Sequence, residues 1–362
     1  MINYNGHTRL GDLLDQSVGT LLETDYPSFE VVFLDNGSTD DSASYVAARF
    51  PNPRLKVIRS DANLHYASGV NRGLTDATGD VLGVLNNDLI FNPGWLKPLV
   101  VYLGNHPAVG VVSPTLLRDE RTIDSLGVET NLLMVAWDRF SGEPSRESSP
   151  SEPFEVAAPP GAAFLFPRRI LSMTNGSVMD DEYVVFHEDV DLGLRLFLMG
   201  FKTVMVPASA VIHKRGSSLG LMSPNKLYLI RRNGTRTGVK LLGSKSLFFV
   251  PIWFAATAYA SYVYYAMSGD SGYLLVPFRE GWSTVASFRS IWKKHVDFER
   301  LRSVSPRELP LSDTLIINVD RIGWIGRVGI TFFNLVAGLT GLGRFKITRS
   351  QKYGLFGRYK RS

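Results

Sequence analysis

FEVVFLDNGSTDDSASYVAARF (29–50) is the stretch that decides the fold. Its opening run, FEVVFL (29–34), is β-branched and aromatic, as a buried strand is, and it leads straight into Asp35-Asn36-Gly37-Ser38. DSASYVAARF (41–50) then predicts a helix, with Ser38 or Asp40 as its cap. Further along, LKVIRS (55–60) is a second strand and 67–77 a second helix. VLGVL (81–85) is a buried strand ending in Asn86-Asn87-Asp88. This βαβαβ rhythm predicts an α/β fold with a mainly parallel sheet covered by helices on both faces. Ligands of such sheets bind beyond the carboxyl ends of the strands. Asp35 and Asp88 both fall there.

The pattern continues past the middle of the chain. SGEPSRESSPSEPFEVAAPP (141–160) is rich in Ser, Pro and Glu and predicts a surface loop. Gly161-Ala162-Ala163 leads into FLFP, a buried strand, and Asp189 to Met199 is a helix stopped by Gly200. FKTVMVP (201–207) and AVIHKRG (210–216) are the last two strands. No secretory signal is expected at MINYNGHTRL, which lacks an apolar core followed by small residues.

Composition narrows the function classes. The 362 residues include no cysteine, which removes disulfide scaffolds, thiolate metal sites and cysteine nucleophiles together. The net charge of +5 hides a strong asymmetry. Residues 1–210 carry 15 basic and 27 acidic side chains, a net of −12, whereas residues 211–362 carry 24 and 7, a net of +17. A uniformly basic nucleic-acid binder is excluded. An acidic catalytic body (1–216) and a basic C-terminal region (217–362) that meets something anionic are expected. Ser246 to Gly269 runs 24 residues without a charge, the length of a bilayer span, but holds Pro251, five Ala and four Tyr. IGWIGRVGITFFNLVAGLTGLGRF (322–345) is a second apolar stretch, interrupted by Arg327. Both are expected as helices lying in or against a membrane face; a buried helical subdomain and a true span are the alternatives.

Three acidic clusters carry the chemistry. Asp35-Asn36-Gly37-Ser38-Thr39-Asp40 is also an ordinary strand–turn–helix junction. Asn86-Asn87-Asp88 closes a fully apolar strand, where an unpaired carboxylate is costly and is commonly a ligand. His187-Glu188-Asp189-Val190-Asp191 packs three carboxylates into a helix start, which suits capping, a cation or proton transfer. His213 closes a strand before Lys214, Arg215 and Gly216, a position where a histidine is either structural or a ligand.

Taken in this order, the motifs resemble family 2 glycosyltransferases of the GT-A fold, in particular the rhamnosyltransferase-like branch. The resemblance covers about residues 1–235 and rests on Asn3-Tyr4-Asn5-Gly6, DNGSTDDS (35–42) and ANLHYASGVNRGL (62–74). It continues in TGDVLGVLNNDLIFNPGWL (78–96), GAAFLFPRRIL (161–171) and FHEDVDLGLRLFLMGFKTVMVPASAVIHKRGSS (186–218). LRSVSPREL (301–309) also has the look of this branch. The resemblance implies inverting transfer of a sugar from a nucleoside diphosphate, of the UDP or dTDP type, to an acceptor hydroxyl. It implies a divalent cation, Mg²⁺ or Mn²⁺, on Asp88 with His213 as the second protein ligand.

By the same resemblance Asp189 is the general base. Glu188 and Asp191 crowd it and, with Gly161, face the acceptor. Asn3, Tyr4, Asn5, Asp35, Asn36, Asn71, Arg72, Asn86 and Asn87 line the nucleotide-sugar pocket with Asp88. The acceptor is a glycan or lipid-linked saccharide, and the place of action is the cytoplasmic face of the cell membrane. Departures are visible. Only Met1 and Ile2 precede Asn3 where the family has about five apolar residues, so either the start lies further upstream or the pocket edge is weakened. His65, Ser68 and Val70 replace the usual Gly, Gly and Asn. The N-x-S/T matches at Asn36, Asn175 and Asn233 are at chance level. Two other readings stay open: transfer onto a polyprenyl phosphate held by Lys214, Arg215, Arg231 and Arg232, and a non-catalytic member that binds glycan or partner chains.

Overall fold

The computed structural model describes residues 1–215 and 222–312. The chain opens with β1 (Ile2–Asn3), α1 (Gly6–Leu10), α2 (Asp12–Leu22), β2 (Val31–Asp35), α3 (Ser42–Arg49), β3 (Leu55–Arg59) and α4 (His65–Leu74). β1, β2 and β3 form a parallel sheet in which Asn3, Asp35 and Arg59 lie side by side. Beyond β1 an apolar cavity of about 490 Å³ separates Val31 and Val32 from Val81–Leu85. The Met1 ammonium donates to the Val32 carbonyl at 2.8 Å, and burial pushes its pKa down to about 5.

A mixed sheet follows. Its elements are β4 (Val81–Leu85), β5 (Leu89–Phe91), α5 (Leu96–Asn105), β6 (Val109–Asp119), β7 (Thr122–Ser125), β8 (Val128–Thr130) and β9 (Ala136–Asp138). Then come α6 (Ser145–Ser148), β10 (Phe154–Val156), β11 (Ala163–Pro167), α7 (Arg168–Met173), α8 (Glu188–Leu198) and β12 (Lys202–His213). The strand order is β10-β12-β6-β11-β4, with β5 on β12, β7 on β6, and β8 paired to β9 apart. β12 runs parallel to β6, while β11 is antiparallel to both of its neighbours. Two expectations need correcting. The expected strands at 201–207 and 210–216 are one strand, whose register on β6 shifts between Val206 and Ala210 so that its end turns to meet β5. The loop expected at 141–160 contains α6 and β10; β10 is an edge strand of three residues, too short to show a period in a Ser- and Pro-rich stretch.

The C-terminal region adds α9 (Pro224–Leu242), α10 (Ser246–Ser268) and α11 (Val276–Glu299). The expected boundary at 216 falls on residues 216–221, and the apolar stretch 322–345 also lies outside the described residues. Beyond that boundary the chain shares the core of the acidic body: Val239, Leu241, Phe249 and Trp253 join one apolar cluster with Phe164, Phe166, Val190 and Leu194. Charge reinforces the join. Lys240 pairs with Asp180 at 2.7 Å and Asp191 at 2.6 Å, Lys294 with Asp180 at 2.5 Å, and Arg236 with Glu182 at 3.1 Å. Burial alone would raise the Asp180 carboxyl, but Lys240 and Lys294 hold it far below the usual carboxylate range. Part of the anionic partner anticipated for the basic region is therefore the acidic body itself.

Candidate active site

The carboxyl ends of β1 and β4, the start of α8 and the first turn of α9 enclose a cleft of about 730 Å³. At the β1 side, Asn3 is buried and donates from Nδ2 to Asp35 Oδ1 at 3.3 Å, while its own Oδ1 accepts from Asn87 Nδ2 at 2.7 Å. Ser38 also donates to Asp35 Oδ1. Asn5 Oδ1 accepts from the Thr39 backbone N–H at 2.8 Å, tying the β1 and β2 loops together. Asn36 fixes the 63–65 loop, donating to the His65 carbonyl at 2.9 Å and accepting from Leu64 N–H at 3.1 Å. Gly37, at φ +73°, is required between them, because a Cβ there would lie 2.3 Å from the Ala62 carbonyl carbon. Tyr4 and Asn36 line the cleft beside these loops, and Asp35 and Asn5 brace them from behind.

The opposite wall is set by strand pairing. β5 pairs with the end of β12, Leu89 beside His213, so Asp88 and His213 come together across 125 residues of sequence. His213 Nε2 lies 3.4 Å from Asp88 Oδ1, and both side chains are buried. His213 Nδ1 is 2.8 Å from Asp124 Oδ2. Burial would lower the His213 pKa, but Asp124 and Asp88 together raise it to about 9. Once a cation displaces its Nε2 proton, His213 and the Asp88 carboxylate offer a nitrogen and an oxygen ligand that fit Mg²⁺ or Mn²⁺. No third His, Asp or Glu joins them in an ion-holding group among the described residues, so phosphate oxygens and water would complete the shell.

Across the cleft, α8 begins at His187, whose φ of +71° turns the chain so that Glu188 and Asp189 face inward. Asp189 Oδ2 accepts from the Gly161 N–H at 3.1 Å and Oδ1 from the Val190 N–H at 2.7 Å. Gly161 matters by size: a Cβ would sit 3.1 Å from Asp189 Oδ2. Burial pushes both carboxyls upward, and the Asp189 charge raises Glu188 further. Glu188 Oε2 and His187 Nε2 have no hydrogen-bond partner among the described residues. Burial holds His187 neutral, with a pKa near 4.

Several expected site residues lie elsewhere. Asn71 is committed to the 177–181 segment, donating to Ser177 Oγ at 2.7 Å and the Met179 carbonyl at 2.9 Å. Arg72 turns to Thr75 and Asp76 on the protein surface. Asp191 is fully buried against Lys240 and Arg195, a structural ion pair away from the cleft. Helical spacing separates it from Glu188 and Asp189, although the three are close in sequence. Three of the four cations suggested for a polyprenyl phosphate are committed to other partners. Arg231 is buried on Thr257 and the Leu133 carbonyl, Arg232 bonds Asn233 and the Glu182 carbonyl, and Arg215 pairs with Asp124 and Asp138.

Other residues emerge only from the fold. Tyr66 Oη donates to the Gly161 carbonyl at 2.8 Å and reaches Asn86 Oδ1 at 3.2 Å, bridging the two walls. Asp124 orients His213. Asn233, fully buried on α9, donates from Nδ2 to the carbonyls of Tyr183, Val185 and Phe186 at 3.0, 3.0 and 2.7 Å. That loop holds Val184, Phe186 and His187 at φ +48°, +70° and +71°, a left-handed run unusual for such residues. In the sequence Asn233 showed only as an N-x-T match.

A parallel three-stranded edge facing an acidic helix start across one cleft, beside a mixed sheet, is the arrangement of the GT-A fold. Residues 1–171 match the family profile "Glycosyl transferase family 2", which ends before α8 and β12. The N-acetylglucosaminyl-diphospho-decaprenol L-rhamnosyltransferase of Mycobacterium tuberculosis is 31% identical over 235 residues, 58% of this chain and 74% of that protein. The O-antigen biosynthesis protein RfbC of Myxococcus xanthus is 31% identical over 219 residues, 57% of this chain but 16% of its own length. Among solved structures, GalNAc-T7 with UDP, GalNAc and Mn²⁺ shares the fold at a TM-score of 0.51 and 17% identity, over 66% of this chain and 46% of its own. The chain belongs to glycosyl transferase family 2 and is a glycosyltransferase.

Proposed function

We propose that the chain is an inverting transferase that moves a sugar from a UDP or dTDP donor to a hydroxyl of a glycan or lipid-linked saccharide at the cytoplasmic membrane face. Residues 1–216 would supply the catalytic body and 217–362 the membrane-associated part. The carrying observation is the placement of Asp189 across one cleft from Asp88 and His213, with both Asp189 oxygens aimed by backbone N–H groups. The relative from Mycobacterium tuberculosis, named for transfer to N-acetylglucosaminyl-diphospho-decaprenol, supports an acceptor of the lipid-linked class.

Asp189 takes the proton from the acceptor hydroxyl as that oxygen forms its bond to the anomeric carbon. The anomeric carbon–diphosphate bond breaks on the opposite side, its electron pair leaving with the diphosphate oxygen. A raised pKa makes Asp189 a stronger base than an exposed aspartate. Glu188, raised further, holds the proton of the pair and leaves the negative charge on Asp189. As a neutral carboxylic acid it can donate a hydrogen bond to the acceptor sugar. Mg²⁺ or Mn²⁺ on Asp88 and His213 would neutralise the diphosphate. Tyr4, Asn36 and Asn86 are positioned for the nucleotide, with Asn3, Asn5 and Asp35 holding their loops.

Calorimetric and thermal-shift titration of UDP and dTDP sugars with Mn²⁺ identifies the donor. NMR of the product then gives its anomeric configuration. Inversion is expected; a product that keeps the donor's configuration overturns the proposal.

A further inference from the structure

α10 and α11 each have two faces. On α10, Phe249, Trp253, Thr257 and Ser261 recur every four residues and are buried, while Leu247, Phe248, Phe254, Tyr259, Tyr262 and Met267 are exposed. On α11 the inward stripe is Val276, Glu280, Thr284, Ile291 and Phe298. Its outward stripe is apolar too: Phe278, Trp282 and Val285 are 71, 76 and 73% exposed, with Leu275, Phe288 and Val296 in line. A surface helix of a soluble domain carries polar residues there. Here the stripe is edged by exposed Arg279, Arg289 and Lys293. Glu280 is the sole acidic residue between 271 and 296, and it is buried on Thr235.

We infer that the outer face of the α10–α11 pair docks in the plane of an anionic lipid bilayer, with the rim of the catalytic cleft beside it. An apolar stripe edged by cations, with exposed carboxylates only at its two ends (Asp270 and Asp297), complements acyl chains below and lipid phosphates above. A second copy of the chain would bring these cations against each other. The lie is in-plane, although α10 is long and apolar enough to span. Its inner face is fastened to the body: Trp253 Nε1 donates to the Leu132 carbonyl at 2.8 Å, and Arg231 Nε to Thr257 Oγ1 at 2.9 Å. Crossing the bilayer would strip buried Arg231 of these partners.

The position of the pair gives it a function. The turn between α10 and α11 clasps the entry to α9, with Tyr273 Oη donating to the Met222 carbonyl at 2.7 Å and Arg279 Nη2 to Asn225 Oδ1 at 3.2 Å. Ser223, Asn225 and Lys226 of that entry line the cleft. Exposed Leu274, Leu275 and Phe278 thus stand beside the cleft mouth. Docking places the acceptor side at the lipid surface, which deepens the proposed function and rests on it only for the identity of the acceptor.

The test is flotation of the full chain with phosphatidylcholine vesicles, with and without about a third phosphatidylglycerol. Quenching of Trp282 by brominated lipid is read as the difference between wild type and Trp282→Phe. Three cations near the surface predict roughly hundred-fold tighter binding to the anionic vesicles. The double variant Phe278→Glu/Val285→Glu should lose flotation and keep its melting temperature and nucleotide-sugar binding. Asp189→Asn should float as wild type does, which separates failure of docking from failure of the transfer mechanism. Equal flotation of the double variant overturns the inference. So does an unquenched Trp282, or a dimer in sedimentation that shields Trp282 without vesicles.

Discussion

Replacing Asn233 by Ala tests whether the basic C-terminal region holds the catalytic helix in place. The Asn233 amide has two N–H groups shared among three carbonyls at 2.7–3.0 Å, all in the loop that delivers Glu188 and Asp189. Two net hydrogen bonds are worth about 1 kcal/mol each, and a buried carbonyl left unsatisfied costs about 1–3 kcal/mol more. The loss is therefore roughly 3–5 kcal/mol, or about 4–7 °C in melting temperature for a chain of this size. The effect on catalysis is separate. Val184, Phe186 and His187 sit at positive φ, each strained by about 1–3 kcal/mol, and Asn233 is what opposes their relaxation. Once relaxed, the loop no longer aims Asp189 across the cleft. Differential scanning fluorimetry and steady-state transfer assays read the two effects. We expect kcat to fall at least about ten-fold, with donor affinity within about two-fold, since an angstrom of misplacement costs up to a hundred-fold. Wild-type kcat in a destabilised Asn233→Ala protein would refute the positioning argument.

Further outcomes follow from the carboxyl cluster. The acid limb of kcat/KM should lie well above pH 4, the ordinary aspartate value, because burial raises Asp189; a limb at or below pH 4 contradicts the base assignment. Glu188 has a higher pKa folded than unfolded, so the stability it contributes is present in acid and is lost as pH rises from about 4.3 through its raised value. Glu188→Gln should therefore raise the melting temperature at pH 8 but barely at pH 4 while lowering transfer, and an unchanged difference between the two pH values tells against it. Asp124→Asn removes the carboxylate that orients His213, and Mn²⁺ affinity by titration calorimetry should weaken about 10–100-fold. Unaltered Mn²⁺ binding would mean that His213 is no ligand.

What could be read from residues alone was what neighbours in sequence do together. The apolar runs at 29–34 and 81–85 end in polar triplets, and strand periodicity with turn chemistry places each triplet at the carboxyl end of its strand; that the two strands belong to separate sheets facing one cleft is visible only in the fold. The three carboxylates at 188, 189 and 191 were equally visible, but their roles were not. Helical geometry sends Asp191 into the core to pair with Lys240, and that partner is visible only in the fold. Asp124, Tyr66 and Asn233 make their decisive contacts across 89, 95 and 47–50 residues, and none carries a local pattern. Asn71 followed from the resemblance of its helix; its amide instead serves the 177–181 segment. The +17 of the C-terminal region is likewise two populations: Arg236, Lys240 and Lys294 bind the acidic body, and Arg279, Arg289 and Lys293 stay outside.

The central claim, that Asp189 takes the acceptor proton in an inverting transfer, is tested most directly by one comparison. With the donor identified by titration, turnover and donor affinity are measured for wild type and Asp189→Asn, which keeps the shape and one of the two accepted backbone hydrogen bonds. The account predicts that transfer falls by about 10²–10⁴-fold, the usual worth of a general base, with donor affinity unchanged. Undiminished turnover in Asp189→Asn would contradict it.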